Sequence, residues 1–153
     1  MVEVEQFFED YVLGDERMTG GRTITETDIV THAMHSGDFY PHHVDAEFAK
    51  KGPFGQRIAH GTLILSVAVG MLASGDINEA AMTYGYEAIR FIRPVFIGDT
   101  ITAHASIAEK REYRKNPENY GLVDEKVEVL NQHGEIVMAL THIYLVSKNP
   151  HQG

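Results

Sequence analysis

The stretch from Gly61 to Ser74 constrains the fold more than any other part of the chain. Its apolar side chains occur nearly all round a helix, and they are Leu63, Ile64, Leu65, Val67, Ala68, Val69, Met71 and Leu72. This pattern is typical of a helix that is buried on most of its sides. A chain of 153 residues most easily surrounds such a helix by wrapping a sheet about it. Gly70 lowers the helix propensity by about 1 kcal/mol relative to alanine, so we expect a neighbouring element to pack closely there.

Two shorter helices are predicted before this one. Thr25 fits an N-cap with Asp28 at the capping-box position, and Gly37 fits the C-cap. The helix between these caps is expected to turn four side chains inward, namely Ile29, Val30, Ala33 and Met34. Asp45 then fits the cap of a second helix over residues 46–51.

Strand-like patterns dominate the second half of the chain. Residues 3–11 and 22–25 fit short strands, and four longer runs follow the break at Gly75–Asp76. These runs cover Met82 to Phe96, Thr100 to Lys110, Gly121 to Leu130 and Ile136 to Val146. Pro94 is expected to bend the first run or to mark an edge position. Asn131 to Gly134 predicts a hairpin turn, so the fold class is α+β, with one buried helix against a curved antiparallel meander.

The length predicts one domain over residues 1–153, with a core at about 22–146 and a frayed tail at 147–153. The formal charge of -9 argues against nucleic acid and against anionic membrane surfaces as partners. Because the chain has no cysteine, disulfides, thiolate metal sites and a cysteine nucleophile are excluded. The first five residues lack a signal-peptide pattern, and the apolar run from Thr62 to Ala73 is shorter than the roughly 20 residues of a membrane span. We therefore expect a soluble cytoplasmic protein.

Two neighbouring segments combine the residues that chemistry needs. Ser36 to Asp45 contains a carboxylate (Asp38) and an imidazole (His43) on a loop braced by Pro41. After a short connection, His60-Gly61 opens the apolar helix, where free backbone N–H groups are expected. An acid/base pair near a helix N-terminus suits the activation of water beside a polarised carbonyl.

These segments resemble the MaoC-like hydratase/dehydratase family of the hot-dog fold, which includes the (R)-specific 2-enoyl-CoA hydratases. The family pattern Asp-x-Asn-Pro-x-His matches Asp38-Phe-Tyr-Pro-His-His43, and the family's His-Gly pair matches His60-Gly61. A third match is Phe91-Ile-Arg-Pro-Val-Phe-Ile-Gly-Asp99. The resemblance covers roughly residues 25–145 and implies a long central helix wrapped by a curved antiparallel sheet.

The resemblance implies a hydro-lyase that reversibly adds water to a 2-enoyl-CoA or dehydrates a 3-hydroxyacyl thioester. Asp38 and His43 would hold the water and exchange its proton, and which of them makes which transfer is left open. The Gly61 N–H would bind the thioester oxygen as negative charge develops there. Coenzyme A is then part of the substrate, and neither a cofactor nor a metal is implied.

One position departs from the family pattern, because Tyr40 stands where the family has asparagine. This change leaves the identity of the acyl group open: a short, branched or dicarboxylic group, such as a mesaconyl- or itaconyl-type thioester, is an alternative to a straight chain, and an acyl-carrier-protein substrate is another. A hot-dog acyl-CoA thioesterase is the alternative activity, although residues 62–74 contain no Asp or Glu to serve it. A non-catalytic acyl-binding subunit is the third possibility.

Further residues are candidates for substrate binding. His60 fits either packing at the helix start or a contact in the pocket. Lys110 to Lys115 is a basic run, which fits either a solvated hairpin end or a contact with coenzyme A phosphates through Arg111 and Arg114. Arg57 and Arg93 are rival candidates for the same phosphates.

Two expectations concern metals and assembly. His32 and His35 share a helical face near Asp38, His42 and His43, but no complete zinc motif is present, so we expect no metal site. His42 is expected at the surface or at the pocket rim. The family's single hot-dog domains pair through their sheets, and a sheet edge benefits from being covered, so a homodimer or a dimer of dimers is expected.

Overall fold

The computed structural model describes residues 3–75 and 77–151, so the predicted break at Gly75–Asp76 and the ends of the predicted domain lie partly outside the described residues. Four helices are present: α1 (Glu26–Ser36), α2 (Pro41–Val44), α3 (Ala46–Lys50) and α4 (Gly61–Ala73). The strands are β1 (Glu3–Val4), β2 (Glu16–Met18), β3 (Arg22–Thr23), β4 (Ile77–Asn78), β5 (Ala81–Phe91), β6 (Thr100–Glu112), β7 (Tyr120–Leu130) and β8 (Ile136–Ser147). The predicted α+β class is confirmed.

The main sheet is antiparallel and has the order β2-β6-β7-β8-β5, with β3 also paired to β6. The predicted meander is correct for β6, β7 and β8. The predicted hairpin at Asn131 to Gly134 joins β7 to β8, and its turn is closed by a 3.0 Å bond from the Gly134 N–H to the Asn131 carbonyl. The meander is wrong for β5, which pairs with β8 and forms the far edge of the sheet. The chain therefore crosses from one edge region to the other between β5 and β6.

The crossing segment, residues 92–99, is the part of the fold that reaches the candidate site. The strand predicted over Met82 to Phe96 ends at Phe91, before Pro94, because proline has no N–H to donate to a ladder. Phe96 forms an isolated bridge with Ile58, and the Ala59 N–H donates to the Val95 carbonyl at 2.8 Å. These bonds hold the start of α4 against the crossing segment.

Helix α4 lies on the concave face of the sheet. Its buried residues pack against inward side chains of β6 and β7, and they are Leu63, Ile64, Val67, Ala68 and Leu72. Full burial of one such aliphatic side chain contributes about 1.5–3 kcal/mol. Burial on most sides was predicted, but Thr62, Ser66, Gly70 and Ala73 form an exposed strip. The prediction of close packing at Gly70 is wrong, since no atom of a neighbouring described element comes within 4 Å of its Cβ position.

The predicted caps of α1 are confirmed. The Asp28 N–H donates to Thr25, the Asp28 carboxylate accepts the Thr25 N–H, and Gly37 ends the helix with φ 77°. Ile29 and Ala33 are buried as predicted, whereas Val30 is 42% and Met34 is 71% exposed. The prediction placed too many side chains inward. Helix α1 contacts the core only through Ile29 and Ala33, which lie four residues apart on one face. Asp45 also caps α3 as predicted, accepting the Phe48 N–H at 2.9 Å.

The ends of the chain differ from expectation. The strand predicted over residues 3–11 is too long, because the strand covers only Glu3–Val4. A 3-10 turn follows at Phe8–Asp10, where the Asp10 carboxylate accepts the Phe7 N–H at 2.8 Å. At the other end, residues 147–153 were predicted to fray, but hydrogen bonds hold Lys148 and Asn149 to the rest of the fold. The Lys148 N–H donates to the Asn119 carbonyl at 2.8 Å, and the Asn149 N–H donates to Glu9 at 2.9 Å.

A buried polar network fixes the C-terminal end of α4. The Glu125 side chain on β7 is 3% exposed and accepts two bonds from Arg17, of 2.9 and 3.0 Å, and one of 3.0 Å from the Tyr144 hydroxyl. The same guanidinium donates to the Leu72 carbonyl at 2.9 Å. Beside it, burial lowers the pKa of His142 to about 4.

Among the described residues, no helix is long and apolar enough to cross a membrane.

Candidate active site

The residues of the predicted loop form one short helical turn. Pro41 occupies the first position of α2, and the Asp45 N–H donates to the Pro41 carbonyl at 2.8 Å. Proline is favoured there because its fixed φ suits a helix and its missing N–H is not needed. The turn places His43 against the body of the protein, where its ring is buried with 6% exposure.

His43 is held by a backbone group. Its Nδ1 donates to the Ile58 carbonyl at 2.7 Å, and because a carbonyl only accepts, Nδ1 bears a proton. The second ring nitrogen, Nε2, is then the unprotonated atom of the neutral imidazole. Burial lowers the pKa of His43 below its ordinary value of 6.5, and His60 and His42 lower it further, against the Ile58 carbonyl and Asp38. His43 therefore presents a basic nitrogen at neutral pH.

His60 links the two predicted segments. The ring is 1% exposed and stacks on His43 with centroids 3.7 Å apart. Its Nε2 donates to the Asp38 backbone carbonyl at 2.9 Å, while Nδ1 has no hydrogen-bond partner among the described residues. His60 is also the residue before the first turn of α4, so it joins α4 to the Asp38 segment. Sequence analysis left packing and a pocket contact open, and the structure gives His60 a packing role.

Asp38 is exposed and its carboxylate accepts the Tyr40 N–H at 3.1 Å. One carboxylate oxygen of Asp38, one ring nitrogen of His43 and one of His60 all lie within 4.8 Å of one another. A water oxygen forms hydrogen bonds of about 2.8 Å, so one water can bridge a carboxylate and an imidazole across such a gap. The structure thus brings together Asp38 and His43, as the sequence predicted.

Gly61 is the first residue of α4, where helix N–H groups have no partner within the helix. A Cβ at this position would lie 2.7 Å from the Phe91 ring, so a larger residue requires that ring to move. Gly61 and Phe91 line a cleft of about 320 Å³, whose walls are Phe54, Ile58, Ala59, Ile64, Ile92, Arg93, Pro94, Val95, Val137 and Met138. The free N–H end of the helix therefore borders a largely apolar cleft.

The four candidate arginines lie in different places. Arg93 lines the cleft, and its side chain is 55% exposed, 3.8 Å from Glu135. Arg57 forms a two-bond ion pair with Glu26 on α1. Arg111 pairs with Asp124 at 3.1 Å, and Arg114 is exposed in the turn after β6. Arg111 lies on β6, far along the strand from Ala103, the residue level with Phe91 across the sheet. Of the four candidates, Arg93 alone lines the cleft at Gly61.

The remaining histidines do not form the metal cluster that the sequence raised as a possibility. His32 Nε2 lies 2.9 Å from the Thr62 hydroxyl, and His35 is exposed. Of the three residues whose donor atoms lie close together, His43 already uses Nδ1 and His60 already uses Nε2 in bonds to carbonyls. The expectation of no metal stays a prediction.

His42 is the residue that sequence reasoning missed. It was expected at the surface or at the pocket rim, and it is half-buried. The sequence did not predict that its Nε2 lies 2.9 Å from the Nε2 of His43. The Tyr40 ring, which replaces the family's asparagine, is 56% exposed and lies 4.5 Å from the His42 ring. Only the adjacency of two histidines in the sequence could have indicated this contact.

The fold therefore combines a helix packed on an antiparallel sheet with a histidine and a carboxylate close to the N-terminus of that helix. Residues 11–129 match the family described as MaoC like domain. The chain belongs to this family.

Relatives of known sequence agree with this assignment. Protein MaoC of Klebsiella aerogenes is 38% identical over 105 residues, which are 69% of this chain and 31% of that protein. The (R)-specific enoyl-CoA hydratase of Rhodospirillum rubrum is 35% identical over 101 residues, which are 66% of this chain and 69% of that protein. The chain thus spans about a third of the first relative and about two thirds of the second.

Solved structures confirm the hot-dog fold. A protein from the genus Archaeoglobus, described as a monoamine oxidase regulatory protein, has a TM-score of 0.91 at 41% identity and covers 98% of this chain and 100% of its own. The MaoC-like dehydratase of Rhodospirillum rubrum has a TM-score of 0.81 at 24% identity over 95% of this chain and 99% of its own. A Mycobacterium tuberculosis protein described as a double hotdog fold has a TM-score of 0.78 at 20% identity, over 97% of this chain and 46% of its own.

The lowered pKa of His43 leads to a prediction for the isolated protein. Because burial disfavours the imidazolium, the His43 ring should titrate with a midpoint below 6.5, and its Nδ1 should keep its proton throughout. Two-dimensional ¹⁵N NMR of the histidine rings measures both quantities, with His43→Gln to assign the signals. A midpoint at or above 6.5, or a proton on Nε2 in the neutral ring, would contradict the arrangement.

Proposed function

We propose that this protein reversibly adds water to the double bond of a 2-enoyl thioester, forming a 3-hydroxyacyl thioester. The observation that supports this most directly is the carboxylate of Asp38 within 4.8 Å of a ring nitrogen of His43, beside the N-terminus of α4. The names of relatives support the same reaction: (R)-specific enoyl-CoA hydratase, 3-hydroxybutyryl-CoA dehydratase and 3-hydroxyacyl-thioester dehydratase Z.

The reaction uses one water held between Asp38 and His43. As the water oxygen bonds to the β-carbon, its proton passes to the pair, and the electrons of the double bond shift toward the thioester oxygen. The N–H of Gly61 and the positive end of the α4 dipole stabilise the enolate charge on that oxygen. The pair then returns the proton to the α-carbon, so that one water is added and no proton is gained or lost.

The environment of His43 suits the first proton transfer. Its Nδ1–H bond to the Ile58 carbonyl fixes the ring and leaves Nε2 as the acceptor. Burial keeps that nitrogen unprotonated, because it lowers the pKa of the ring. Asp38 is exposed and is free to reach a water at the mouth of the site.

Coenzyme A is the proposed carrier of the acyl group. Arg93 is half-exposed and borders the cleft that begins at Gly61. Its only ion-pair partner among the described residues is Glu135, at 3.8 Å, so its guanidinium is available to a phosphate. Arg57 and Arg111 are already paired with Glu26 and Asp124. If an acyl-carrier protein carries the acyl group instead, a protein surface would take the place of the coenzyme A phosphates at this end of the cleft.

A homodimer through the edge of β5 is proposed as the assembly. Within the described residues β5 pairs only with β8, so its outer row of backbone groups is open to a second strand. The strand also exposes Met82, Tyr84 and Phe91, at 60%, 49% and 56%. A partner strand there would cover this apolar surface next to the cleft, because Phe91 also contacts Gly61.

The central experiment combines active-site variants with a panel of straight-chain, branched and dicarboxylic 2-enoyl-CoA thioesters. Loss of enoyl absorbance measures hydration, and release of free thiol measures hydrolysis. Asp38→Asn and His43→Ala should each lower kcat/KM by about 10²–10⁴-fold, since each removes one partner of the proton transfer. His35→Ala, an exposed histidine outside the site, is the control. Thiol release without hydration would favour the thioesterase alternative, and full activity in either site variant would refute the proposed roles.

A second experiment tests the phosphate contact. Arg93→Gln should raise KM for a CoA thioester about 5–10-fold and leave kcat unchanged, as expected for one charge-assisted contact at a partly exposed position. The same acyl group on pantetheine, which lacks the nucleotide phosphates, should show no difference between the wild type and this variant. Arg111→Gln, whose arginine is paired with Asp124, should leave both values unchanged. An equal KM effect on both thioesters would rule out phosphate recognition by Arg93.

The assembly is tested by light scattering on eluted protein. The mass should be twice the 17.1 kDa of one chain, or four times for a dimer of dimers. Met82→Lys on β5 should shift the mass toward the monomer, whereas Met34→Lys, at a similarly exposed methionine of α1, should not. A wild-type mass of 17.1 kDa would exclude the dimer.

A further inference from the structure

The contact between His42 and His43 is not used by the proposed reaction. Both residues belong to α2, a helix of four residues, and their Nε2 atoms lie 2.9 Å apart. The rings meet edge to face, with centroids 4.0 Å apart and an angle of 88°. This geometry directs one ring nitrogen at the other, as in a hydrogen bond between them.

The position of each proton follows from the neighbours. The Ile58 carbonyl accepts from His43 Nδ1, so the neutral His43 ring has a lone pair on Nε2. A hydrogen bond at 2.9 Å then requires the donor to be His42 Nε2–H. In the resting protein the basic nitrogen of His43 is therefore already occupied by the side chain that precedes it.

The same nitrogen is the one that water needs. Since His43 Nδ1 is bound to Ile58, the ring has only Nε2 to offer to a water that also reaches Asp38. A lone pair that accepts the His42 N–H cannot take the proton of water at the same time. The His42 ring must turn away before the reaction begins.

We propose that His42 is a positioning residue that caps the basic nitrogen of His43 in the resting protein and is displaced when water and the enoyl thioester bind. The inference rests on the proposed function only for the identity of the displacing molecules. The capped pair itself follows from the contacts of His42, His43 and Ile58.

The surroundings of His42 allow such a displacement. The ring is half-buried, and its only hydrogen bond among the described residues is the one to His43. Its other ring contact is Tyr40, at 4.5 Å, whose own side chain is 56% exposed. Tyr40, the departure from the family pattern, thus packs against the capping ring and helps to hold it in place. Turning the ring away costs one hydrogen bond and this packing contact.

The cap has a defined kinetic consequence. Because the hydrogen bond exists only before the substrate binds, it stabilises the free enzyme and opposes binding, and it is absent in the transition state. Its removal should therefore lower KM and leave kcat unchanged. A net hydrogen bond of about 1 kcal/mol corresponds to roughly a 3–10-fold change in KM.

The kinetic test compares two side chains of the same length. His42→Gln keeps an N–H donor that reaches His43, whereas His42→Met fills similar space and has none. His42→Met should lower KM for the preferred enoyl-CoA about 3–10-fold with unchanged kcat, and His42→Gln should retain the wild-type KM. Equal KM values in both variants and the wild type would overturn the inference, as would a loss of kcat in His42→Met.

A spectroscopic test does not depend on catalysis. EDTA-treated protein with ¹⁵N-labelled histidine is measured at about pH 8, where neutral imidazoles prevail. A ¹⁵N–¹⁵N coupling between Nε2 of His42 and Nε2 of His43 is expected in the free protein, and it should vanish when the 3-hydroxyacyl-CoA product is added. Absence of the coupling in free, active protein would overturn the cap and leave the proposed function intact. Its presence in a protein without hydratase activity would refute the proposed function instead, and its persistence with product bound would refute displacement.

Discussion

The bond from His43 Nδ1 to the Ile58 carbonyl is the interaction on which the site depends. It fixes the ring, decides which nitrogen is basic and ties α2 to the segment that leads into α4. The Ile58 N–H in turn donates to the His42 carbonyl at 3.2 Å, so the two segments hold each other through backbone groups. Because a backbone carbonyl is present whatever the side chain, this anchor tolerates substitution at position 58 better than a side-chain partner would.

Around that bond, the imidazole rings of several histidines pack against one another. His60 stacks on His43 and donates to the Asp38 carbonyl, and the centroid of the His32 ring lies 4.8 Å from that of His60. Burial lowers the pKa of both His32 and His43, so these rings are neutral at physiological pH. Neutral imidazoles can pack closely without mutual repulsion, which lets the protein place a basic nitrogen inside a dense cluster.

Local features could be predicted from the sequence and distant contacts could not. The capping box at Thr25, the cap at Asp45 and helix α4 depend on neighbouring residues, and all were predicted. The pairing of β5 with β8 depends on sheet closure, which periodicity does not encode. Glu125 was missed although it lies in phase with the inward residues Val127 and Val129, because a carboxylate there requires Arg17, 108 residues away. The geometry of His42 depends on a side-chain rotamer.

The crossing segment between β5 and β6 has a consequence for how the protein acquires its function. Its bond to Ala59 and its bridge to Ile58 join residues that come together only after the chain has passed from one side of the sheet to the other. Contacts between residues distant in sequence form late, since their loop-closure entropy must be overcome first. The position of Ile58, whose carbonyl anchors His43, is therefore supported from outside by a segment that reaches it only across the sheet. A chain in which residues 92–99 have not docked would lack this support of the site.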